Sequence, residues 1–398
     1  MDLSPPPLAL YLHFPWCVRK CPYCDFNSHT LHGELAHEAY VDALLRDLEV
    51  QAPGVGMRPV ISLFLGGGTP SLFPPDALGR LFEGLRRRLG LAPDAEITLE
   101  ANPGTIERGR FAAYRAVGIN RVSLGAQSFD PRLLERLGRI HTAGETRAAA
   151  EELHAAGLDN FNLDLMYGLP GQTLDGALED VRSALALAPA HLSHYQLTME
   201  PGTVFGGRPP AGLPDDDRSL AMQEQGQAAM AAAGLRHYEV SAYARPGRQC
   251  AHNLNYWSFG DYLGLGAGAH GKLTRGDGGQ VVRTVREREP RRYLARGCSA
   301  APDPQVVPPA DLPFEFMMNA LRLVGGFDPA WFESRTRLSW ATVALRLGQL
   351  AQRGLLQEGG AGWRPTERGL RFLNDVVAEF LPAPVNAAAR KNPIGPVV

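Results

Sequence analysis

Three cysteines near the amino terminus are the residues of this chain best suited to metal chemistry. The stretch CVRKCPYCDFNS starts at residue 17 and places Cys17, Cys21 and Cys24 in a C-x3-C-x2-C spacing. Thiolates this close together select iron–sulfur clusters, zinc or copper(I). A closed tetrahedral site needs four ligands. The spacing therefore predicts a metal site with one position left for another group.

Zinc and a four-iron cluster are the two sites that this spacing favours. A zinc site could use His13 or His29 as its fourth ligand, but each would have to turn back within the same loop, and the sequence has no second C-x2-C knuckle. A four-iron cluster held by three cysteines leaves one iron open to an exchangeable ligand. We therefore expect the cluster rather than zinc.

The elements that must position this site alternate between strand and helix over the first 240 residues or so. Amphipathic runs of helical length, such as 38–50 and 75–90, separate the apolar runs. This alternation predicts a parallel sheet with right-handed crossovers. Six units predict a partial (β/α)6 barrel, because a closed barrel has eight. The predicted strands are 8–14, 60–67, 96–101, 121–127, 160–168 and 191–198.

A polar or glycine-rich cluster follows each predicted strand. Turn formation explains the glycines, but it does not explain why Glu100, Gln127 and Asp164 each stand at a strand end. The carboxyl ends of parallel strands meet on one face of the sheet. We therefore expect these side chains to face a common site. The six clusters are HFPWC, GGGTPS, EANPGT, GAQSF, DLMYGLPGQ and QLTMEPGT.

The alternation stops after the sixth unit, and the remaining chain predicts smaller parts. A Pro-rich stretch, 298–313, is typical of a linker. A helix, a short hairpin and a last helix then predict a winged-helix-like module. Its sequence lacks a basic surface, so we expect a cap or interaction module and no nucleic-acid partner. The predicted divisions are a core over 1–245, an extension with a hairpin over 246–300, the α+β, winged-helix-like module over 311–382, and a disordered tail over 383–398.

Composition and charge describe an ordinary protein with ample apolar core. The hydrophobic content is 44%, the charged content 21% and the net charge −2, which argues against a general polyanion binder. The amino terminus lacks the features of a signal peptide, and no apolar run approaches the roughly 18 residues of a spanning helix. We therefore expect a cytoplasmic protein without a membrane span, which would reach a membrane only through a partner.

Eight motifs, in order along the chain, give it a specific resemblance to a known family. They resemble the radical S-adenosylmethionine (SAM) superfamily, and within it the oxygen-independent coproporphyrinogen III oxidase branch, more closely its heme-chaperone subfamily. The motifs span residues 11–271, and the carboxyl-terminal module is also similar. They read YLHFPWCVRKCPYCDFNSH, FLGGGTPS, EANPGT, LGAQSF, LGRIHT, NLDLMYGLPGQT, SHYQLTMEPGT and HNLNYW.

The resemblance implies a [4Fe–4S] cluster on Cys17, Cys21 and Cys24, with the amino and carboxylate groups of SAM on the open iron. An electron donor would reduce the cluster. The reduced cluster would cleave the sulfonium to a 5'-deoxyadenosyl radical and methionine.

The resemblance also implies SAM-binding roles for residues at the strand ends. Glycines 66–68 would let the backbone approach the methionyl ammonium, and Glu100 and Asp164 would bind the ammonium and the ribose. Taken singly, Glu100 and Asp164 could be turn caps and Arg139 a helix-surface residue; the adjacent cluster favours binding roles. Tyr11 and Tyr23 would flank the cluster and ligand, and Gln127 and Arg139 would bind ribose or carboxylate. The predicted SAM-binding residues are Tyr11, Tyr23, Gly67, Gly68, Thr69, Glu100, Gln127, Arg139 and Asp164.

The residue at position 26 helps to distinguish the two functions that the resemblance allows. The oxidases carry a fourth cysteine two residues after the third, where this chain has Phe26. They also tend to have a long amino-terminal arm, whereas ten residues precede Tyr11 here. We therefore expect a heme chaperone that binds heme and passes it to an acceptor, such as a respiratory hemoprotein. The alternative is an anaerobic coproporphyrinogen III dehydrogenase that makes protoporphyrinogen IX through the adenosyl radical.

The H-N-x-x-Y-W motif is associated with heme in the resembled subfamily. It consists of His252, Asn253, Tyr256 and Trp257, with Cys250 just upstream. Imidazole and thiolate are axial donors to heme iron, and aromatic rings can face the macrocycle. The same residues would also fit a structural role, with His252 and Asn253 orienting loops, the aromatic pair in the core and Cys250 as a free buried thiol.

His270, in GAGAHG, is a second candidate heme ligand. The chain has no C-x-x-C-H motif here, so covalent attachment of the c type is not indicated.

Overall fold

The computed structural model describes residues 5–104, 109–275, 279–296, 304–360 and 362–382. The predicted disordered tail (383–398) and the first residues of the predicted linker (298–303) lie outside them. Within the described ranges, no helix has the length and apolar character needed to cross a membrane.

The described strands form one twelve-stranded sheet and two small two-stranded sheets. In chain order they are β1 (Leu8–Phe14), β2 (Trp16–Cys17), β3 (His29–Thr30), β4 (Val60–Gly67), β5 (Leu91–Ala101), β6 (Arg121–Gln127), β7 (Phe161–Tyr167), β8 (His191–Gln196), β9 (Arg236–Glu239), β10 (Ala242–Ala244), β11 (Asp261–Leu265), β12 (His270–Thr274), β13 (Val281–Val285), β14 (Gln305–Val306), β15 (Leu356–Gly359) and β16 (Gly362–Pro365).

The helices cover the sheet and build the carboxyl-terminal module. In chain order they are α1 (His37–Gln51), α2 (Pro75–Arg88), α3 (Phe111–Val117), α4 (Pro131–Arg136), α5 (Ala143–Ala155), α6 (Leu174–Ala186), α7 (Val204–Gly207), α8 (Asp216–Ala232), α9 (Ala251–Trp257), α10 (Pro290–Arg296), α11 (Leu312–Ala320), α12 (Pro329–Thr336), α13 (Ala341–Gln352), α14 (Glu367–Arg371) and α15 (Leu373–Ala378).

The core of the large sheet consists of the six predicted strands in chain order. β1, β4, β5, β6, β7 and β8 lie side by side and pair in parallel. At least one helix follows each of them before the next begins, so the prediction of six β/α units is confirmed. The edge strands are β14 and β9, and no pairing among the described residues joins them. The sheet is therefore open, as an incomplete barrel requires.

A seventh parallel strand comes from the region predicted as an extension. β11 pairs in parallel with β1, and β12, β13 and β14 continue the sheet in antiparallel pairing. The buried Asp261 carboxylate ties this region to the core, because Lys272 donates to it at 3.1 Å and Arg58 at 2.7 Å. The extension thus shares the sheet of the core, while the domain boundary at residue 245 stays a prediction.

Helix α9 carries the HNLNYW segment and contacts β1, β4 and β11. Glu96 of β5 accepts hydrogen bonds from the backbone N–H groups of Ala251 at 2.9 Å and of His252 at 3.4 Å. First-turn amides have no partner within a helix, so Glu96 supplies one. Glu96 lies four residues before Glu100, well short of the carboxyl end of β5. α9 therefore lies below the level at which the strand-end residues converge.

The carboxyl-terminal module contains α11 to α15, with the β15–β16 hairpin between α13 and α14. This is the predicted order of helix, short hairpin and last helix. Its aromatic core includes Phe316 and Phe332, whose ring centroids lie 5.2 Å apart. Arg322 donates to Glu239 at 2.6 Å and places its guanidinium 4.3 Å from the ring centroid of Trp257. The module thus packs directly on the end of α9.

Candidate functional site

The cysteine loop, residues 17–28, projects from the carboxyl end of β1 and is closed at its base. Parallel pairing of β2 with β3 joins its two ends. The Thr69 N–H donates to the Trp16 carbonyl at 2.7 Å, and the Gly68 N–H donates to the Phe14 carbonyl at 2.7 Å. These bonds fix the cysteine loop against the glycine-rich loop after β4. Two loops that are distant in sequence therefore form one wall of the site.

The thiols of Cys17, Cys21 and Cys24 are half-buried and interact with one another. Burial, and then the neighbouring Cys24 and Cys21, raise the pKa of Cys17 to about 11. Burial also raises the pKa of Cys24. Arg139 Nη1 donates toward Cys21 Sγ at 3.6 Å. Because their neighbours and burial disfavour the charged form, these thiols become thiolates only when positive charge lies nearby. The iron ions of a bound cluster would supply that charge.

Of the two histidines that a zinc site could use, His13 has both ring nitrogens in other contacts, whereas the buried His29 Nε2 has no hydrogen-bond partner among the described residues. His13 Nε2 donates to the Asn27 carbonyl at 3.0 Å and Nδ1 accepts from the Tyr11 hydroxyl at 3.0 Å, so both nitrogens are used. Burial lowers the pKa of His29. In the part of the chain that the structure describes, no three His, Cys, Asp or Glu side chains are placed to hold one metal ion. The choice between a four-iron cluster and zinc therefore rests on the cysteine spacing and stays a prediction.

The glycine-rich loop has no room for side chains. A Cβ on Gly68 would lie 2.5 Å from the Trp16 carbonyl oxygen and 2.8 Å from that of Phe14. Gly67 has a φ of +111°, and a Cβ there would lie 2.4 Å from the His13 ring, so glycine is required at both positions. The loop therefore brings its backbone, rather than side chains, close to the cysteine loop.

Arg139 lies beside the cysteines rather than on a helix surface. Its Nη2 donates to the Gly125 carbonyl at 2.8 Å and to Asn102 Oδ1. Asn102 in turn donates to Thr69 Oγ1 at 2.8 Å. Sequence reasoning missed Asn102, although it lies two residues after Glu100 in EANPGT, the spacing of side chains on one face of a strand. A cavity of about 100 Å³ is lined by Cys17, Cys21, Thr69, Asn102 and Arg139, among others.

Glu100 lies under the glycine-rich loop with its carboxylate inside the barrel. Its Oε2 accepts from the Gly67 N–H at 3.0 Å. Burial, reinforced by the nearby Asp164 carboxylate, raises the pKa of Glu100 to about 8. A half-buried carboxyl group with a neighbouring negative charge is well placed to bind a cation. The ammonium of a methionyl group would meet that requirement.

Substituting Glu100 by glutamine is expected to change how stability depends on pH. The folded chain binds the Glu100 proton more tightly than the unfolded chain, with a pKa of about 8 against 4.5. The wild type should therefore lose stability as pH rises from 4.5 through 8. The glutamine amide oxygen keeps the acceptor for Gly67 without the charge, so E100Q should be more stable by about 2 kcal/mol at pH 8.5. Urea unfolding of SAM-free protein at pH 5 and pH 8.5 measures this difference.

Glu83 on the exposed side of α2 provides the control for that prediction. E83Q should change stability little at either pH, because an exposed ion pair contributes little. Equal stability of E100Q and wild type at both pH values would contradict the buried, protonated state of Glu100.

Asp164 and Gln127 lie on neighbouring strands. Gln127 ends β6 as predicted, but the prediction of a strand end is wrong for Asp164, which is the central residue of β7 because that strand continues to Tyr167. Asp164 accepts from Asn162 Nδ2 at 2.8 Å and from the Ser123 hydroxyl at 3.2 Å. Gln127 has a φ of +67° and accepts from the Tyr195 hydroxyl at 2.9 Å. A left-handed φ is unusual for a non-glycine residue and is often found at ligand sites. Both side chains present polar groups to the interior of the barrel.

Tyr11 and Tyr23 have different neighbours in the site. The Tyr11 ring stacks on Phe64 with a centroid distance of 6.3 Å. Burial, followed by Glu100, raises the pKa of Tyr11. The Tyr23 ring lies 6.5 Å from that of Phe205, and burial also raises its pKa. Both tyrosines are therefore neutral rings near physiological pH, one facing Glu100 and one beside the cysteines.

Two of the candidate heme residues, Cys250 and His252, lie deep inside the barrel. Cys250 is fully buried and donates to Glu96 at 3.4 Å; burial raises its pKa to about 12. His252 Nδ1 lies 3.3 Å from the Ser62 hydroxyl, and its ring is 5.0 Å from that of Phe64. Burial lowers the pKa of His252 to about 3. Both groups are thus neutral and enclosed, and they do not converge with the cysteine loop.

The other candidate heme residues differ in exposure. Tyr256 and Trp257 are in edge-to-face contact at 5.0 Å, and Tyr256 also contacts the ring of Tyr262. Asn253 is half-buried, and His270, at the start of β12, is exposed. The aromatic pair packs between the sheet and the carboxyl-terminal module. Among these residues, His270 is the one open to solvent.

An open parallel α/β barrel with a C-x3-C-x2-C loop and an adjoining glycine-rich loop defines a radical SAM-type protein. In agreement, a profile of the Radical SAM superfamily matches residues 11–184, and one of the HemN C-terminal domain matches residues 307–372. The fold is also similar to the solved structure of coproporphyrinogen III oxidase (HemN) from Escherichia coli, with a TM-score of 0.78 and 24% identity over 95% of this chain and 91% of that one.

Curated relatives then place the chain within the superfamily. Heme chaperone HemW of Escherichia coli (strain K12) is 50% identical over 377 residues, which cover 94% of this chain and 98% of that protein. Heme chaperone HemW of Haemophilus influenzae is 46% identical over 380 residues, with the same coverage. The mouse mitochondrial radical S-adenosyl methionine domain-containing protein 1 is 34% identical over 408 residues, covering 98% and 90%. The chain belongs to the HemW family.

Proposed function

We propose that this protein is a heme chaperone, which binds heme and transfers it to an acceptor hemoprotein, and that it does so on a core carrying a [4Fe–4S] cluster and SAM. The observation that carries this proposal is the 50% identity to a curated heme chaperone along almost the whole of both chains. The fold alone does not distinguish a chaperone from an oxidase, because the solved oxidase has the same fold at 24% identity.

The chain's own residues supply the binding and orientation that such a core needs. Cys17, Cys21 and Cys24 would hold the cluster, and the Arg139 guanidinium would offset negative charge at Cys21. Glu100 is placed to bind the methionyl ammonium and Asp164 to bind the ribose hydroxyls. A cluster bound by these residues would supply one-electron reduction of the sulfonium when an electron donor is available. The half-buried loops limit access of water and oxygen to this site.

Phe26 favours the chaperone over coproporphyrinogen III dehydrogenase. It stands where the oxidases carry their fourth cysteine, and its side chain is 37% exposed. Lys20 Nζ donates to the Phe26 carbonyl and to the Ser28 carbonyl, each at 3.0 Å, so this part of the loop has a fixed backbone. An apolar, exposed ring at the rim of the site cannot replace a thiol in redox or acid–base chemistry. It can contact a flat apolar ligand.

Within this proposal, His252 is the candidate heme ligand, with His270 as its competitor. Heme iron could reach His252 only if α9 moved, because the imidazole is buried and near Ser62 and Phe64. His270 needs no such movement, since it is exposed. Substituting each histidine by alanine separates them: loss of heme binding in H252A but not in H270A supports His252, and the reverse assigns the iron to His270.

We also propose that the protein is cytoplasmic and that it would associate with a membrane only through its acceptor protein. A respiratory hemoprotein is one acceptor class, since such proteins need heme at the membrane face. An electron donor for the cluster is a further partner. Neither partner requires nucleic-acid recognition, which agrees with the net charge of −2.

The test of the proposed function compares heme transfer with oxidase turnover under anaerobic conditions. The reconstituted protein is given hemin and an apo-hemoprotein in one assay, and coproporphyrinogen III, SAM and a reductant in another. We expect about one heme retained per chain and its transfer to the acceptor, with no protoporphyrinogen formed. Production of protoporphyrinogen at a catalytic rate would contradict the chaperone function.

A further inference from the structure

A chain of buried hydrogen bonds connects the start of α9 to Asp164. The Cys250 N–H donates to the Tyr238 oxygen at 3.3 Å, and the Tyr238 hydroxyl lies 2.8 Å from His191 Nε2. His191 Nδ1 lies 2.7 Å from Asn162 Oδ1, and Asn162 Nδ2 donates to Asp164 at 2.8 Å. Tyr238, His191 and Asn162, together called the relay here, are 8%, 1% and 2% exposed. The relay therefore crosses the barrel interior away from solvent.

The relay has one consistent hydrogen-bond direction. Asn162 Oδ1 can only accept, so His191 must carry its proton on Nδ1. Burial keeps the pKa of His191 well below its usual value, so the ring is neutral and Nε2 is free to accept. The Tyr238 hydroxyl then donates to Nε2, and its oxygen accepts from Cys250. Each bond in the series sets the direction of the next.

Asn162 joins the relay to Asp164, which belongs to the candidate SAM site. Its oxygen also accepts from the Ser193 hydroxyl at 3.2 Å, and its amide nitrogen also donates to the Ser123 hydroxyl at 2.7 Å. The Ser123 hydroxyl contacts Asp164 as well. All the hydrogen-bonding groups of the amide are used. A flipped amide would turn its oxygen toward the Asp164 carboxylate, which is unfavourable because both groups are acceptors.

We propose that Tyr238, His191 and Asn162 are positioning residues that hold Asp164 in the orientation that binds the ribose of SAM, and that they link this orientation to the position of α9. The proposal rests on the proposed function, because it takes Asp164 as the ribose ligand. The relay would act through proton placement: the Tyr238 hydroxyl keeps the His191 proton on Nδ1, and that proton keeps the Asn162 amide facing Asp164.

Through its contact with the start of α9, the relay would connect SAM binding to the candidate heme motif. Cys250 immediately precedes α9, which carries His252. A movement of α9 that exposes His252 to heme and carries Cys250 with it would stretch the bond between Cys250 and Tyr238. The affinity for SAM would then depend on the state of the heme motif. By linkage, bound SAM would influence heme binding to the same degree.

The test is the substitution Tyr238→Phe, which keeps the ring and removes the hydroxyl. Anaerobic calorimetric titration of the cluster-loaded protein with SAM should show affinity reduced about fivefold, the effect of one lost hydrogen bond. Iron and sulfide content should stay unchanged. Tyr243→Phe is the matched control: Tyr243 is a buried tyrosine on the adjacent strand β10 and lies outside the relay. It should leave SAM affinity within about twofold of wild type.

A double-substitution cycle with Asp164→Asn separates positioning from general destabilisation. D164N should itself weaken SAM binding by about tenfold or more, because charged hydrogen bonds to the ribose are lost. In the D164N protein, adding Y238F should then cause no further loss. Should Y238F fold poorly, His191→Phe removes the donor to the same amide oxygen without a direct contact to Asp164, with a loss expected that also disappears in D164N.

Two outcomes would overturn the relay, and they have different meanings. Full SAM affinity in D164N would remove Asp164 as the ribose ligand, and with it this part of the proposed function. Reduced affinity in D164N combined with full affinity in Y238F and H191F would leave the ribose ligand in place and reject the relay alone. An additional loss in the double variant would likewise reject action through Asp164.

Discussion

Replacing Cys17 by alanine is expected to give a folded chain with almost no iron–sulfur cluster. Iron and acid-labile sulfide after anaerobic reconstitution should fall from about four of each per chain to near zero, because two thiolates do not retain a four-iron cluster. Cys17 is half-buried in a loop at the barrel rim, so stability should change by less than about 1 kcal/mol. SAM binding should be lost with the cluster, because the open iron would be absent. Chemical iron and sulfide analysis and calorimetric SAM titration measure both effects.

Cys250→Ala is the matched control for that prediction. Cys250 is also a free cysteine, but it is fully buried and contacts Glu96 at the other end of the barrel interior. Its substitution should leave iron, sulfide and SAM affinity near wild-type values, at a cost of about 1 kcal/mol in stability. A C17A protein that retained the full cluster would show that the three-cysteine loop is not the cluster site.

The sequence predicted the barrel strands well because each forms from local pattern. The predicted strand at 8–14 coincides with β1, and the one at 121–127 coincides with β6. Continuous apolar runs of this length, separated by amphipathic helices, have few alternatives to a parallel sheet. The neighbouring order of these strands also follows from the short right-handed connections between them.

The place of β11 could not be read from the sequence. It pairs with β1 across about 250 residues of chain, with Leu10 opposite Leu263. Its sequence, DYLGL, does not indicate a partner, since register across such a separation depends on the whole fold. Asp261 shows the same difficulty: Lys272 is eleven residues away on the adjacent strand, but its other partner, Arg58, is 203 residues away. Pattern analysis identifies elements, and tertiary packing decides which of them meet.

Site residues that belong to a short sequence motif could be predicted. Residues that only support them through hydrogen bonds could not. The cysteine spacing and the glycine-rich loop predict a metal site directly, and hydrogen bonds hold these two loops together in the structure. Asn102, which joins Thr69 to Arg139, carries no such signal of its own. The relay through Asn162 and His191 was also missed, because isolated polar residues inside a strand pattern do not reveal that their side chains meet. Such networks depend on the register between adjacent strands.

The two ends of the barrel interior differ in chemistry in a way that suits two ligands. At the carboxyl ends of the strands lie the thiols, the glycine-rich loop and the Glu100 carboxylate. Toward the other end lie α9, the neutral His252 and the buried Cys250. Polar groups of β7 and β8 connect these ends through Asn162 and His191. In the relay proposed above, these bonds would couple the candidate SAM site to the candidate heme motif.

Replacing Gly68 by alanine is expected to damage both the site and the fold. The new Cβ would lie 2.5 Å from the Trp16 carbonyl oxygen and 2.8 Å from that of Phe14, and backbone groups at the end of β1 cannot move aside as a flexible side chain would. Overpacking against backbone should cost about 3 kcal/mol. Displacement of the glycine-rich loop would also break the hydrogen bond between the Thr69 N–H and the Trp16 carbonyl, which holds the cysteine loop in place.

The measurements for Gly68→Ala are urea unfolding and cluster content after reconstitution. Both should fall, with iron and sulfide reduced to less than about half of the wild-type values because Cys17 follows Trp16 directly. Gly90→Ala provides the control: a Cβ there meets nothing within 4 Å, so removing a flexible glycine should leave stability within about 1 kcal/mol and the cluster unchanged. Wild-type stability and full cluster loading in G68A would mean that the two loops do not need their close contact. The site would then depend on the cysteines alone, rather than on the junction between the ends of β1 and β4.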